Sequence, residues 1–403
     1  MENCPAMTDP GTRPTYGGNP ALTAAIRAEM EANGGRLTFA RFMELALYHP
    51  VHGYYLTSER RPGRGGDFLT APETHPFFGM TLARQIAECW ERLGRPDPFT
   101  VREDGAGIGG LAYDIIAGLS VDAPELLATL RYRLVEANQY RREDARGAMA
   151  EVGLDHLVTV ETSPAGDPDP IVGVALANEV ADAFPVHQLV WRDGVLRERF
   201  VVWNDTGFGD EEDDPSAEAA AADPGAALAA AGVTLNDGDA IEISPAAAGW
   251  FGGVSRGLRR GYAIVLDYGY PAAQLYRDHR LGGTLRAHAR HTISDDPFRD
   301  VGREDLTAHV DFSALQHAGE TAGLRLAGFT TQGALLASLG LGEFLVQMQQ
   351  DPTTTAADYL AAQAAVLRLI DPGGMGRFGV LIMAQDAPID PPLRGLVERG
   401  PGF

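Results

Sequence analysis

The run Val101-Arg102-Glu103-Asp104-Gly105-Ala106-Gly107-Ile108-Gly109-Gly110 stands where a β-branched stretch ends and a helical pattern begins. Gly105, Gly107 and Gly109 let a backbone turn tightly and approach a ligand with no Cβ in the way, and a helix starting near Leu111 offers free N–H groups. The glycines alone do not choose a ligand, because Gly105, Gly107 and Gly110 also satisfy the dinucleotide pattern GxGxxG. Glu103 separates the possibilities: a carboxylate at the strand tip repels a pyrophosphate but suits the ammonium and sulfonium of S-adenosylmethionine. Glu136 ends the next expected strand and can accept both ribose hydroxyls, which either cofactor requires.

Acceptor chemistry is suggested by Asn178-Glu179, which follow the apolar stretch 172–177 and so project at the carboxyl edge of a sheet, facing the methyl donor. Asn178 belongs with the cofactor, while Glu179 and Asp182 can clamp the fork of a guanidinium and stabilise its charge, or cap the turn before Pro185. Asp267-Tyr268-Gly269-Tyr270 ends another strand, where it lines the same crevice or simply turns the chain. His309, in His309-Val310-Asp311, can accept a proton or hold a substrate carbonyl, or is a structural histidine, and Asp311 is a candidate substrate contact. Of Tyr54 and Tyr55, one is expected in the core and one in the pocket. His288 and His291 have a metal-like spacing, but with no convincing third ligand nearby no metal is expected.

These groups need a sheet to carry them. Short apolar runs at 99–102, 132–135, 157–160, 172–177, 262–266 and 378–383 alternate with helical patterns, which predicts βαβ units and a mostly parallel, doubly wound α/β sheet. Residues 1–18, rich in Gly, Pro and Thr, read as a loose tail. Helices over 21–33 and 39–48, the second capped by Thr38, open a helical lobe over 19–98, within which the glycine-rich stretch from Arg61 to Glu73 reads as an ordered functional loop or a linker. The core spans 99–203 and 258–390. Between them, 204–257 holds the acidic run Asp210 to Asp214 and then many alanines, which reads as a solvated insertion with a mobile acidic tip.

The chain of 403 residues carries a net charge of −22 and no lysine, which removes Schiff-base chemistry and disfavours a nucleic-acid partner. Two cysteines, Cys4 and Cys89, are too few for a disulfide framework, and no segment is apolar enough to span a bilayer. A cytoplasmic protein is expected. A homodimer through the helical lobe is left open.

The residues resemble the MidA-like family of S-adenosylmethionine-dependent methyltransferases, which includes a mitochondrial assembly factor that methylates a protein arginine. The likeness runs from about Leu37 to Gln385 and rests on six blocks in order. These are Leu47-Tyr48-His49-Pro50 through Gly53-Tyr54-Tyr55; Gly66 to Glu73; the ExGxGxG turn at Glu103 to Gly109; Asn178-Glu179 with Asp182-Ala183-Phe184-Pro185; Asp267 to Tyr270; and Asp305 to Phe312. The resemblance implies a class I, Rossmann-like methyltransferase fold whose entry lobe, with Asp67, Thr70, Tyr54 and Tyr55, covers the cofactor. It also implies an acceptor that is a protein or peptide arginine. Departures fall at Asp104, Ala106 and Ile108 (Leu, Pro and Arg in the family), at Val180-Ala181 (two phenylalanines) and at His288 (Tyr). The smaller side chains beside Glu179 keep open an acceptor oxygen or a small-molecule substrate. The literal GxGxxG is also compatible with an NAD-dependent oxidoreductase, and Asp104 and Ile108 in the turn with a non-catalytic assembly factor that retains the fold.

Overall fold

The computed structural model describes residues 18–57, 70–162, 170–276, 282–289 and 292–397. Helix α1 (Pro20–Ala32) is opened by Asn19, whose side chain accepts the N–H groups of Ala21 and Leu22, and it buries Leu22, Ile26 and Met30 at helical spacing. Strand β1 (Arg36–Thr38) leads into α2 (Phe39–Tyr48), where Thr38 Oγ1 accepts the Arg41 N–H at 3.2 Å. A short α3 (Ala71–Thr74) and a long α4 (Phe77–Arg92) precede the alternation of β2 (Phe99–Asp104), α5 (Gly110–Asp122), β3 (Leu130–Val135), α6 (Gln139–Glu151), β4 (Val158–Glu161) and β5 (Ile171–Asn178). Then come β6 (His187–Arg192), β7 (Val195–Asn204), β8 (Gly207–Asp213), α7 (Ala217–Ala221), α8 (Pro224–Ala230), β9 (Ala240–Ile243), α9 (Pro245–Arg256) and β10 (Leu258–Asp267). The remainder comprises β11 (Gly269–Tyr270), α10 (Ala272–Leu275), β12 (Arg286–Ala289), β13 (Thr292–Ser294), β14 (Asp305–Thr307), β15 (Val310–Asp311), α11 (Phe312–Thr321), β16 (Arg325–Thr331), α12 (Gln332–Ser338), α13 (Leu341–Gln350), α14 (Ala356–Ile370) and β17 (Gly379–Gln385).

The main sheet has seven strands in the order β16-β17-β10-β5-β2-β3-β4. From β10 to β4 neighbours are parallel, and β17 runs antiparallel to both β10 and β16, so the fold is α/β with a mixed sheet. One face is covered by α4, α5 and α6 through Phe78, Leu82, Ile115 and Met149, the other by α9 and α11 through Phe251, Val254 and Leu315. From β2 the chain steps outward to β3 and β4, then returns to β5 on the other side of β2. This reversal leaves a crevice at the carboxyl ends of β2 and β5, where open α/β sheets take ligands.

All the strands expected from the sequence form, mostly with longer ends. A second sheet was not expected. Strands β1, β7, β6 and β9 pair in that order, with β8 on β7. Phe42 of α2 packs against Phe208 of β8 and against Phe298, at 5.3 and 5.2 Å between ring centres, so the entry lobe and the inserted strands share one core. The reading of the acidic run as a mobile tip is corrected: Asp210 to Asp213 form β8, paired with β7. Arg36 meets Glu211 and Asp213 at 3.0 and 2.7 Å, and Arg192 meets Glu212 at 2.8 Å. Strand β16 also went unread because this edge strand is largely exposed and carries Gly328 at a register shift, which leaves no clear alternation.

Candidate active site

The glycine turn closes the carboxyl end of β2. Gly105 adopts φ +70°, and a Cβ there would come within 2.6 Å of Val180 Cγ2. The cofactor turn is therefore in contact with the turn that follows β5. Gly107, at φ +57°, has open space where its Cβ would be, and its N–H donates to Glu136 Oε2 at 2.9 Å. The other oxygen of Glu136 accepts the Asn138 N–H at 2.8 Å, so this buried carboxylate is fixed in orientation just beyond β3. Asn178 Oδ1 is shut off from solvent and has no hydrogen-bond partner, an unusual state for a buried carbonyl oxygen. Thr70 caps α3, its N–H donating to Glu73 Oε2 at 3.2 Å. Asp67 lies outside the described residues.

Glu103 corrects the expectation of a charged rim. It shares the α4/α5 face of the sheet with Val101, Tyr132 and Leu134, and accepts the Tyr132 hydroxyl at 2.7 Å. Burial pushes its carboxyl up to about 8, so the group holds a proton at neutral pH. The neighbouring Asp104, on the opposite face, is buried in an ion pair with Arg102 at 2.9 Å.

The second turn holds the acceptor candidates. Glu179 has φ +53°, a conformation that costs a residue with a Cβ energy. Its Oε1 accepts the Ala71 N–H at 2.9 Å and Asn178 Nδ2 at 3.0 Å, and burial raises the carboxyl to about 7. Asp182 is buried and held well above its ordinary value by burial and by the carboxyls of Asp267, Asp305 and Glu179. Glu179, Asp182, Tyr268 and His309 line one cleft of about 1110 Å³ between the main sheet and the second sheet. The Tyr268 ring meets His309 edge-on at 5.1 Å, and its hydroxyl is bonded to Thr307 Oγ1.

Several sequence candidates are structural. Asp267, fully buried, accepts the N–H groups of Val180, Ala181 and Asp182 on Oδ2 and that of Tyr268 on Oδ1, so it folds the acceptor turn and does not line the cleft. It takes the capping role that the sequence had offered to Asp182. Asp311 caps α11 through the N–H groups of Ser313 and Ala314. Tyr54 is a core residue, and Tyr55 donates its hydroxyl to Asp305 at 2.8 Å, so neither reaches the cleft. His288 lines the cleft, whereas His291 lies outside the described residues. Among the described residues no set of three His, Cys, Asp or Glu side chains is placed to hold a metal.

Sequence reasoning missed Glu242 and Thr284. Glu242 accepts the Thr284 N–H and hydroxyl, and Thr284 Oγ1 accepts the His309 N–H at 3.0 Å, which fixes the cleft wall to the second sheet. No local pattern marks such a long-range contact. Asp305 and Thr307 were within reach of inference, since both lie on the same face of β14 in the block that leads to His309.

Residues 81–330 match the family described as "Putative S-adenosyl-L-methionine-dependent methyltransferase". The chain belongs to this family. It is an enzyme whose cofactor is S-adenosyl-L-methionine. The Drosophila melanogaster "Protein arginine methyltransferase NDUFAF7 homolog, mitochondrial" is 28% identical over 362 residues, which cover 82% of this chain and 79% of the relative. The human protein arginine methyltransferase NDUFAF7, mitochondrial, is 27% identical over 318 residues, covering 71% of this chain and 66% of that one. A solved structure from Burkholderia thailandensis with S-adenosyl-homocysteine bound superposes with TM-score 0.82 at 35% identity, covering 94% of this chain and 96% of that chain. The cytoplasmic expectation does not stand, because these curated relatives are named as mitochondrial proteins. Few cysteines mark a reducing environment and cannot tell one such compartment from another.

Proposed function

We propose that this methyltransferase modifies a guanidinium nitrogen of an arginine on a protein or peptide, and that its main sheet is a doubly wound class I core. The observation that carries this reading is the contact of the Gly105 turn with Val180, between two acids that line the cleft, Glu179 and Asp182. Similarity to proteins named as arginine methyltransferases supports it.

The residues fit the cofactor: Gly107 leaves open space for its approach, Asn178 Oδ1 offers an unused acceptor to an ammonium, and Glu136 offers its remaining lone pairs to ribose hydroxyls. When bound, the cofactor supplies an electrophilic methyl group on a sulfonium. Glu179, once ionised, holds the guanidinium fork, and Asp182, which keeps its proton, accepts a guanidinium N–H on its carbonyl oxygen, so that one nitrogen turns toward the glycine turn. Glu179 Oε2 has no hydrogen bond among the described residues, which leaves it to the substrate. Forming the new N–C bond breaks the S–C bond and releases one proton from the guanidinium, which His309 receives.

The test is incubation with labelled S-adenosyl-L-methionine and cell extract, followed by mass spectrometry of acceptors. Methylarginine is expected; label confined to hydroxyls or small metabolites would sink the proposal. A protonated Glu179 cannot clamp a cation, so kcat/KM should climb with pH until about 7 and then level. Glu179→Gln should lower it roughly 10- to 100-fold and remove that step.

A further inference from the structure

We propose that Arg377 selects a carboxylate on the acceptor, so that the preferred peptide carries an acidic residue near its target arginine. This rests on the arginine reading above. The cleft, at about 1110 Å³, is far larger than one arginine side chain needs, and exceeds the roughly 300–1,000 Å³ common for small-molecule pockets. Neighbouring residues of a peptide must therefore meet its walls.

Those walls carry three guanidinium groups, Arg199, Arg286 and Arg377. Two are matched within the chain: Arg199 has Glu212 at 3.6 Å and Arg286 has Asp295 at 3.3 Å. Arg377 is exposed and has no acidic partner among the described residues, in a chain whose 55 acids outnumber its 33 bases. Its base is firm. The Gly376 N–H donates to Asp371 O at 3.0 Å, the Phe378 N–H donates to Met375 O at 3.1 Å, and the Phe378 ring lies 5.6 Å from that of Tyr268. The same turn is tied to the acceptor site through α3, which donates the Thr74 hydroxyl to Met375 Sδ and the Ala71 N–H to Glu179. A planar cation rooted on an anchored turn of the same cleft as Glu179 and Asp182 matches a carboxylate that neighbours a guanidinium on the acceptor.

The test uses the full chain with labelled S-adenosyl-L-methionine and synthetic peptides that contain one arginine and, at each flanking position in turn, Glu, Ala or Lys. At one position Glu should exceed Lys in kcat/KM by about tenfold, with Arg377→Lys keeping the direction of the preference and Arg377→Glu reversing it. The KM for the cofactor should stay within about twofold, because the contact is with the acceptor. Equal rates for all flanks, an unaltered preference in Arg377→Glu, or a loss confined to the cofactor KM would each overturn the assignment. Label on hydroxyls with none on arginine would instead remove the underlying reading, a result separable from the first three.

Discussion

A carboxylic acid with one neutral partner, inside a layer of apolar side chains, keeps its proton unless a cation arrives. Glu103 is such a group, bonded among the described residues only to the Tyr132 hydroxyl and raised to about 8. A ligand whose ammonium and sulfonium charges came close to this turn would favour the ionised form, and its binding should then drive a proton off Glu103 at neutral pH. Because the free protein's value lies near 8, affinity for S-adenosyl-L-methionine should increase by up to about tenfold per pH unit below that point and be flat above it. Calorimetry in two buffers of different ionisation heat should also register proton release at pH 7. Glu103→Gln should abolish both effects, and a pH-independent wild-type affinity would refute the coupling. The same shift has a cost for the empty fold, which loses stability as pH rises from the ordinary 4.5 toward 8. The position of Glu103 was readable from the ExGxGxG spacing, but its charge state was not, since that depends on the Tyr132 layer contributed by a different strand.

At the level of the element, the turn after β5 is held by one side chain from the end of β10. Asp267 satisfies four backbone N–H groups, whereas Asp182 is pressed against other carboxyls and takes the Ala183 N–H. Burial raises both; four backbone donors oppose it at Asp267, while the neighbouring carboxyls add to it at Asp182. Asp182→Asn imitates the protonated acid and should change unfolding free energy by less than about 1 kcal/mol, while Asp267→Asn, which points an amide at N–H donors, should lose roughly 2–4 kcal/mol. Urea unfolding of the two variants decides the matter, and the reverse ranking would exchange their roles. The strands of the main sheet were legible because buried parallel strands are continuous apolar runs. The second sheet was not, because its strands are half-exposed and its pairing joins β1 to β7 across a long stretch of sequence, a contact with no local signature. For the same reason Asp267 could be placed at a strand end without revealing whether it faced the cleft or the turn beneath it.

The whole molecule sets the field in which these sites act. With a net charge of −22 and a cleft that opens between two sheets, a cationic peptide is drawn in by long-range attraction, whereas a ligand of no net charge is not. The screening distance falls from about 10 Å at 0.1 M to about 3 Å at 1 M, so attraction from acids away from the cleft wall is lost at high salt. Raising ionic strength should therefore raise the KM of an arginine-bearing peptide several-fold. The affinity for S-adenosyl-homocysteine, which carries balanced charges, should move by less than about twofold, since a ligand of no net charge feels little long-range attraction. The pairing of these two measurements separates mechanism from trivial salt effects: if both ligands weaken in parallel, salt is acting on the fold, and if neither does, the acidic surface serves solubility and not recognition. A selective loss for the peptide would tie the composition of the entire chain, from its missing lysines to the carboxylates of the cleft, to capture of a positively charged acceptor.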